Sequence, residues 1–173
     1  YLTQGISTPL GYDFERANYI MSFGANLLEA WWSPTNVQRI YGYLRQERPG
    51  KKAKYVQVDT RFSVTASKAD EWIPINPGTD AALALGMAYV IIREGLYNKK
   101  FVDRFTFGFE DWVDDKGNNH SGFKNLVLKD YRSEEVSKIT GIPIDTIVRL
   151  AKEFAANSPS IALGERGATM YSN

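Results

Sequence analysis

Cysteine is absent from this chain, which removes disulfides, thiolate metal sites and cysteine-held iron–sulfur clusters from its chemistry. Histidine occurs once, at His120, too few for a histidine-based metal cluster. No run approaches the roughly 20 apolar residues of a membrane span, and no charged stretch followed by an apolar one opens the chain as a secretory signal would. Direct membrane insertion is therefore not expected. An excess of either charge is lacking too: 21 Lys and Arg face 20 Asp and Glu, a net charge of +1. That balance gives no electrostatic case for nucleic acid or acidic lipid as a partner.

What is present is enough chain, 173 residues, to bury a single core as one domain. It begins at Tyr1 without Met and stops at Asn173 just after an expected strand and loop, so it reads as a piece excised from a longer polypeptide. On that reading, a signal, a cysteine-bearing segment or a catalytic residue of the parent would lie elsewhere.

The most informative stretch is Asp-Glu-Trp-Ile-Pro-Ile-Asn-Pro-Gly-Thr-Asp at 70–80, followed by apolar residues 81–88. A short strand over 72–75 empties into a Pro-Gly turn, and a helix opens at once with Thr79 as N-cap and Asp80 in its first turn. Such a junction places a carboxylate and backbone N–H groups at the rim of a sheet.

Residues 17–23 form an apolar and aromatic run that stops at Gly24, which predicts a buried strand. After the loop 24–30, Ser33-Pro34 supplies an N-cap and an N1 proline for a helix. Its apolar positions Val37, Ile40, Tyr41 and Leu44 recur at helical spacing as far as Arg45. Residues 54–59 make a second strand, separated from the first by the helix's worth of chain that a right-handed parallel crossover needs. The helix expected over 80–94 is the most apolar of the chain. Residues 97–140 are amphipathic, with Phe101, Phe105, Phe107, Phe109, Trp112 and Phe123 among charges. That aromatic series is expected in the core, and 115–119 as an exposed loop tip. A helix over 144–156 leads to a fourth strand over 160–163. The expected fold is α/β: a Rossmann-like open parallel sheet in the order 3-2-1-4 with helices on both faces.

Ligands of such sheets bind outside the carboxyl ends of the strands. The loops leaving the four strands, 24–26, 59–61, 76–80 and 164–167, share that rim, and their glycines and polar groups suit a phosphorylated, hydrogen-bonding ligand. Gly24 lets the chain approach a ligand without a Cβ, and Asn26 offers both a donor and an acceptor; the alternative is a turn glycine with a local cap. Glu29 is either part of this loop's site or a first-turn carboxylate. Asp59 ends the second strand, where an acidic side chain reaches ribose hydroxyls. Arg61 can meet a phosphate, and Thr60 and Ser63 can donate hydroxyl bonds. A turn with a surface ion pair is the alternative there. Asp80 can accept two hydrogen bonds at once, matching the N1 and 2-amino donors of guanine, or it can merely complement a helix dipole. His120 reads as solvated, and Trp31 and Trp32 as packing residues.

Together these segments resemble a known family. The Gly-x-Asn loop, Asp59-Thr60-Arg61, Ala69-Asp70, Trp72-Ile73-Pro74-Ile75, Pro77-Gly78-Thr79-Asp80-Ala81-Ala82 and Thr140-Gly141-Ile142-Pro143 closely resemble the molybdopterin oxidoreductases of the dimethyl sulfoxide reductase family. That group includes formate dehydrogenases, nitrate reductases and thiosulfate, polysulfide and arsenate reductases. The resemblance spans essentially the whole chain.

It implies a domain that holds one guanine dinucleotide arm of a bis(molybdopterin guanine dinucleotide) cofactor carrying molybdenum or tungsten. Position by position, Gly24, Ala25, Asn26 and Glu29 match the first cofactor loop, Asp59, Thr60, Arg61 and Ser63 the second, and Gly78, Thr79 and Asp80 the third. Gly164 to Gly167 match a further loop near the pterin. The family's iron–sulfur segment and its protein ligand to the metal have no match here. This segment alone is thus expected to be inactive, and a cluster would lie outside it. The implied partners are the remaining domains of the polypeptide and an iron–sulfur electron-transfer subunit, in a periplasmic or cytoplasmic setting that the sequence leaves open. Two other readings stand beside this one. One is a non-catalytic family subunit that keeps the fold for protein contacts. The other is a nicotinamide dinucleotide domain, for which Phe23 to Leu28 lacks the second and third glycines of Gly-x-Gly-x-x-Gly.

Overall fold

The computed structural model describes residue 5, residues 11–31 and residues 33–164. Strand β1 (Tyr19–Phe23) is buried at every position, as a central strand of a parallel sheet must be. It pairs in parallel with β2 (Lys54–Asp59) on one side. A two-residue-per-strand hairpin, β4 (Trp112–Val113) with β5 (Asn119–His120), forms a separate antiparallel pair. On its other side β1 pairs in parallel with β6 (Ser160–Gly164), and β2 pairs with β3 (Glu71–Pro74). The order β3-β2-β1-β6 is the expected 3-2-1-4, with the hairpin inserted before the last strand.

Helices cover both faces of the central strands β1 and β2, which are buried at nearly every position. Ile20, Tyr55 and Leu163 face α1 (Pro34–Gly42), which contributes Val37 and Ile40 to that core. Tyr19, Met21, Phe23, Val56, Val58 and Ile73 face the other layer. That layer comprises α3 (Asp80–Arg93), α5 (Phe123–Asp130), α6 (Ser133–Thr140) and α7 (Ile144–Ala156). Two short helices complete the chain, α2 (Val64–Lys68) after β2 and α4 (Lys99–Phe105) after α3. Gly86 lets α6 lie directly on α3: a Cβ there would meet the Val136 side chain at 2.7 Å. Among the described residues no helix is long and apolar enough to cross a membrane.

Several local expectations shift. The helix after Ser33 widens at Gly42 into a π-helical turn over Tyr43–Glu47. Pro34 does open that helix, although the Ser33 side chain caps nothing. Strand β3 starts one residue earlier than the apolar run suggests. The aromatic series is not core: Phe101, Phe105, Phe107 and Phe123 are 54%, 66%, 79% and 41% exposed. The reason is that α4 buries none of its residues; its rings contact one another, Phe101 against Phe105 at 5.5 Å, instead of a facing layer. Phe109 is partly buried against the core. Trp31 is packed in the core as expected, whereas Trp32 lies outside the described residues.

Candidate functional site

All four strands of the main sheet run parallel, so the loops after β1, β2 and β3 and the end of β6 share one rim. At the first loop Gly24 takes φ +64°, a left-handed conformation that glycine adopts without strain, and its N–H donates to Val58 O at 2.9 Å. This turns the chain over the end of β2. Ala25 is fully buried, and its carbonyl accepts from Ser22 Oγ and Gln57 Nε2, both at 3.2 Å. The Asn26 carbonyl closes a tight turn, accepting from the N–H groups of Glu29 and Ala30 at 3.0 Å. The Glu29 carboxylate points to the second loop, where it accepts from Thr65 N at 3.1 Å and Thr65 Oγ1 at 2.8 Å.

In the second loop, Asp59 is 8% exposed. Its Oδ1 accepts from Arg61 N at 3.3 Å, and its Oδ2 from Ser63 Oγ at 3.2 Å and Gln57 Nε2 at 3.4 Å. Ser63 also caps α2, its Oγ accepting from Ala66 N at 3.1 Å. Thr60 and Arg61 are exposed, and the Arg61 guanidinium has no ion-pair partner among the described residues.

The third loop is pinned from a distance. Asn76 N donates to Thr140 O at 3.0 Å and its Nδ2 to Ile139 O at 3.0 Å. Gly78 takes φ +76°. Thr79 holds the N-cap position, but its hydroxyl turns back to donate to Asn76 O at 2.7 Å instead of capping α3. Asp80 follows, 3% exposed. No side chain among the described residues donates to its carboxylate. Burial pushes its pKa up, its own backbone N–H pulls the other way, and the negative charge of Asp59 adds to the rise. Two carboxylates from adjacent loops thus feel each other, and neither has an ion-pair partner among the described residues. Of the fourth loop only Gly164 is described; Glu165, Arg166 and Gly167 lie outside the described residues.

Beneath the rim lies a polar layer that the sequence reading passed over: Ser22, Tyr55, Gln57 and Thr65, all buried. The signal was a Gln in the middle of β2 and a Ser in β1, where a doubly covered strand is expected to be apolar. His120 stands apart in the hairpin, exposed, stacked on Trp112 at 4.3 Å and bonded to Asp114 at 3.1 Å. Among the described residues no cluster of three metal-ligating side chains occurs.

Open parallel sheets of this class place their ligand sites at the carboxyl rim, where these polar, glycine-bearing loops lie. The family described as molybdopterin oxidoreductase matches residues 2–170, and the chain belongs to it. The molybdopterin-containing subunit ArrA of the arsenate respiratory reductase of Chrysiogenes arsenatis is 35% identical over 93% of this chain and 20% of its own length. The dimethyl sulfoxide reductase DmsA of Escherichia coli (strain K12) is 35% identical, again over 93% of this chain and 20% of its own length. The solved structure of acetylene hydratase from Pelobacter acetylenicus aligns with a TM-score of 0.65 at 32% identity, covering 87% of this chain and 18% of that one. The chain therefore spans about a fifth of the length of the curated relatives it matches.

Proposed function

We propose that this domain holds one guanine dinucleotide arm of a bis(molybdopterin guanine dinucleotide) cofactor within a larger molybdenum- or tungsten-dependent oxidoreductase. The observation that carries the reading is the pair Asp59 and Asp80: two buried carboxylates at one rim, without an ion-pair partner among the described residues, whose oxygens can accept from a ligand's donors. Asp80 suits the paired N–H donors of guanine, Asp59 a sugar hydroxyl, and Arg61 a phosphate. Gly24 and Gly78 supply the backbone turns around them, with Ala25, Asn26, Thr60, Ser63 and Thr79 framing the three loops. Glu29 serves this rim by holding Thr65. The bound metal would supply the redox chemistry, while this domain contributes placement and electrostatics.

The parent enzyme would reduce or oxidise a small oxo- or sulfur-containing substrate, in company with its remaining domains and an iron–sulfur electron-transfer subunit. The experiment is a titration of the cofactor-free parent with GMP and GDP, with ADP and NADH as controls. Selective binding of the guanine nucleotides, lost in Asp80→Asn, supports the reading. Equal binding of adenine and guanine nucleotides counts against it, and no response to any nucleotide favours a family subunit that keeps the fold for protein contacts.

A further inference from the structure

We propose that Gln57 is a positioning residue of this rim: its buried amide ties the first loop to the second and aims the Asp59 carboxylate. The inference rests on the cofactor-arm reading for its consequence, but its geometry stands on its own.

Gln57 is fully buried in β2, so each of its polar groups must find a partner within the protein. Three do. The Tyr55 hydroxyl donates to Oε1 at 2.6 Å, and Nε2 donates to Ala25 O at 3.2 Å and to Asp59 Oδ2 at 3.4 Å. Oxygen and nitrogen of an amide are told apart by their partners, and here the partners decide. A carbonyl and a carboxylate only accept, so the NH2 group must face Ala25 and Asp59, and the Tyr55 hydroxyl must serve the oxygen. Burial pushes the Tyr55 pKa well above its ordinary value, so that hydroxyl stays a donor throughout the physiological range.

The result is a directed chain, Tyr55 to Gln57 to a branch point. One branch holds the first loop at the Ala25 carbonyl, between Gly24 and Asn26. The other meets Asp59 Oδ2, which Ser63 Oγ already occupies at 3.2 Å. With Oδ2 taken twice, Oδ1 carries only the Arg61 N–H and keeps acceptor capacity for a ligand. A second tie runs in parallel: Thr65 Oγ1 accepts from Leu28 N at 3.3 Å and donates to Glu29 at 2.8 Å. The first two loops are thus joined at two points, and Gln57 is the one that also touches a ligand-facing carboxylate. An aliphatic residue would pack in the same place and lack all three bonds.

The test uses the full-length enzyme. Gln57→Leu fills the volume and removes the amide, whereas Gln57→Glu keeps the bond from Tyr55 and turns an acceptor toward Ala25 O and Asp59. Two readouts are taken: hydrogen exchange of residues 24–28 and 59–66, and GMP released per polypeptide on acid hydrolysis. In Gln57→Leu, exchange should rise about tenfold in both loops together, as loss of a buried hydrogen bond implies, with β1 and β3 unchanged. GMP content should fall, and further in Gln57→Glu. Asp80→Asn is the control, lowering GMP without loosening the first loop. A rise in one loop only, or spread evenly over the sheet, overturns the inference, since a tie through one amide loosens both segments together and leaves the rest of the sheet in place. So does full GMP retention in both folded Gln57 variants while Asp80→Asn loses it. If GMP content ignores Asp80→Asn and both Gln57 variants, the cofactor-arm reading fails, and coupled exchange of the loops would still support the tie itself.

Discussion

At the amino rim of the sheet, where β1, β2 and β3 begin, Glu71 and Glu153 sit among cations. Lys54 Nζ lies 3.0 Å from Glu71 and 2.6 Å from Glu153. Arg149 bonds both carboxylates, at 2.9 Å to Glu153, and the Tyr19 hydroxyl donates to Glu153 at 3.1 Å. At the carboxyl rim, Asp59 and Asp80 have no ion-pair partner among the described residues. The titration follows the contrast. Burial alone would raise Glu71 and Glu153, but hydrogen bonds from Arg149 and Lys54 outweigh it and hold both below the usual carboxylate range. For Asp80, burial and Asp59 prevail and the pKa goes up. One rim is neutralised within the fold; at the other, the two carboxylates have no ion-pair partner among the described residues.

The largest effect expected is on that open rim. Asp80→Asn in the parent should weaken guanine nucleotide binding by about 1–3 kcal/mol, the worth of hydrogen bonds to a buried charge, measured by calorimetric titration. The same substitution should raise the thermal midpoint of the nucleotide-free chain, because it removes a carboxylate whose ionisation the fold disfavours. A lower midpoint would mean that Asp80 is a structural helix cap and would break the contrast.

Next comes the neutralised rim. Glu153→Ala should cost about 1–2 kcal/mol in denaturant unfolding, a discount from a fully buried network because these side chains are 27% to 40% exposed. Their pH signatures should oppose each other. Glu71 and Glu153 contribute stability that is present above the unfolded carboxylate pKa of about 4.3 and fades as pH falls through their lower folded values. Asp80, with its raised folded pKa, contributes stability present below about pH 3.9 that is lost as pH rises through the folded value. Subtracting the stability–pH curves of Glu153→Gln and Asp80→Asn from the parent curve should therefore give slopes of opposite sign, and equal signs would sink the comparison. The smallest effect belongs to Asp115→Asn in the exposed hairpin turn, expected within about 0.5 kcal/mol of the parent and without influence on nucleotide binding.

The sheet was legible because its signals are local: apolar runs at 19–23 and 54–59 that end in Gly24 and Asp59, and a Pro-Gly-Thr-Asp junction that ends β3. The order of strands followed from the two-directional winding of an open α/β sheet. Helix α2, five residues long, falls below the window in which periodicity can be seen, and the π-helical turn keeps an α-like apolar pattern. The exposed aromatics misled because composition gives hydrophobicity but not the presence of a facing layer. At the rim, the identity of the loops could be read, but not where Glu29 is spent or why Gln57 is polar. Those depend on partners 36 and 32 residues away, and nothing in a neighbouring residue announces them.

The three loops of the rim draw on different lengths of chain. The first two are tied through partners that all lie before residue 67, among them Ala25, Gln57, Ser63 and Thr65. The third reaches much further, from Asn76 to the Ile139 carbonyl 63 residues on. Gly141 closes α6 at φ +76°, so tightly that a Cβ would stand 3.2 Å from the Asn76 side chain. The loop that carries Asp80, the group proposed to read the base, is thus sensitive to a part of the chain that the other two loops do not touch: a change at Ile139 or Gly141 would reach the rim through Asn76.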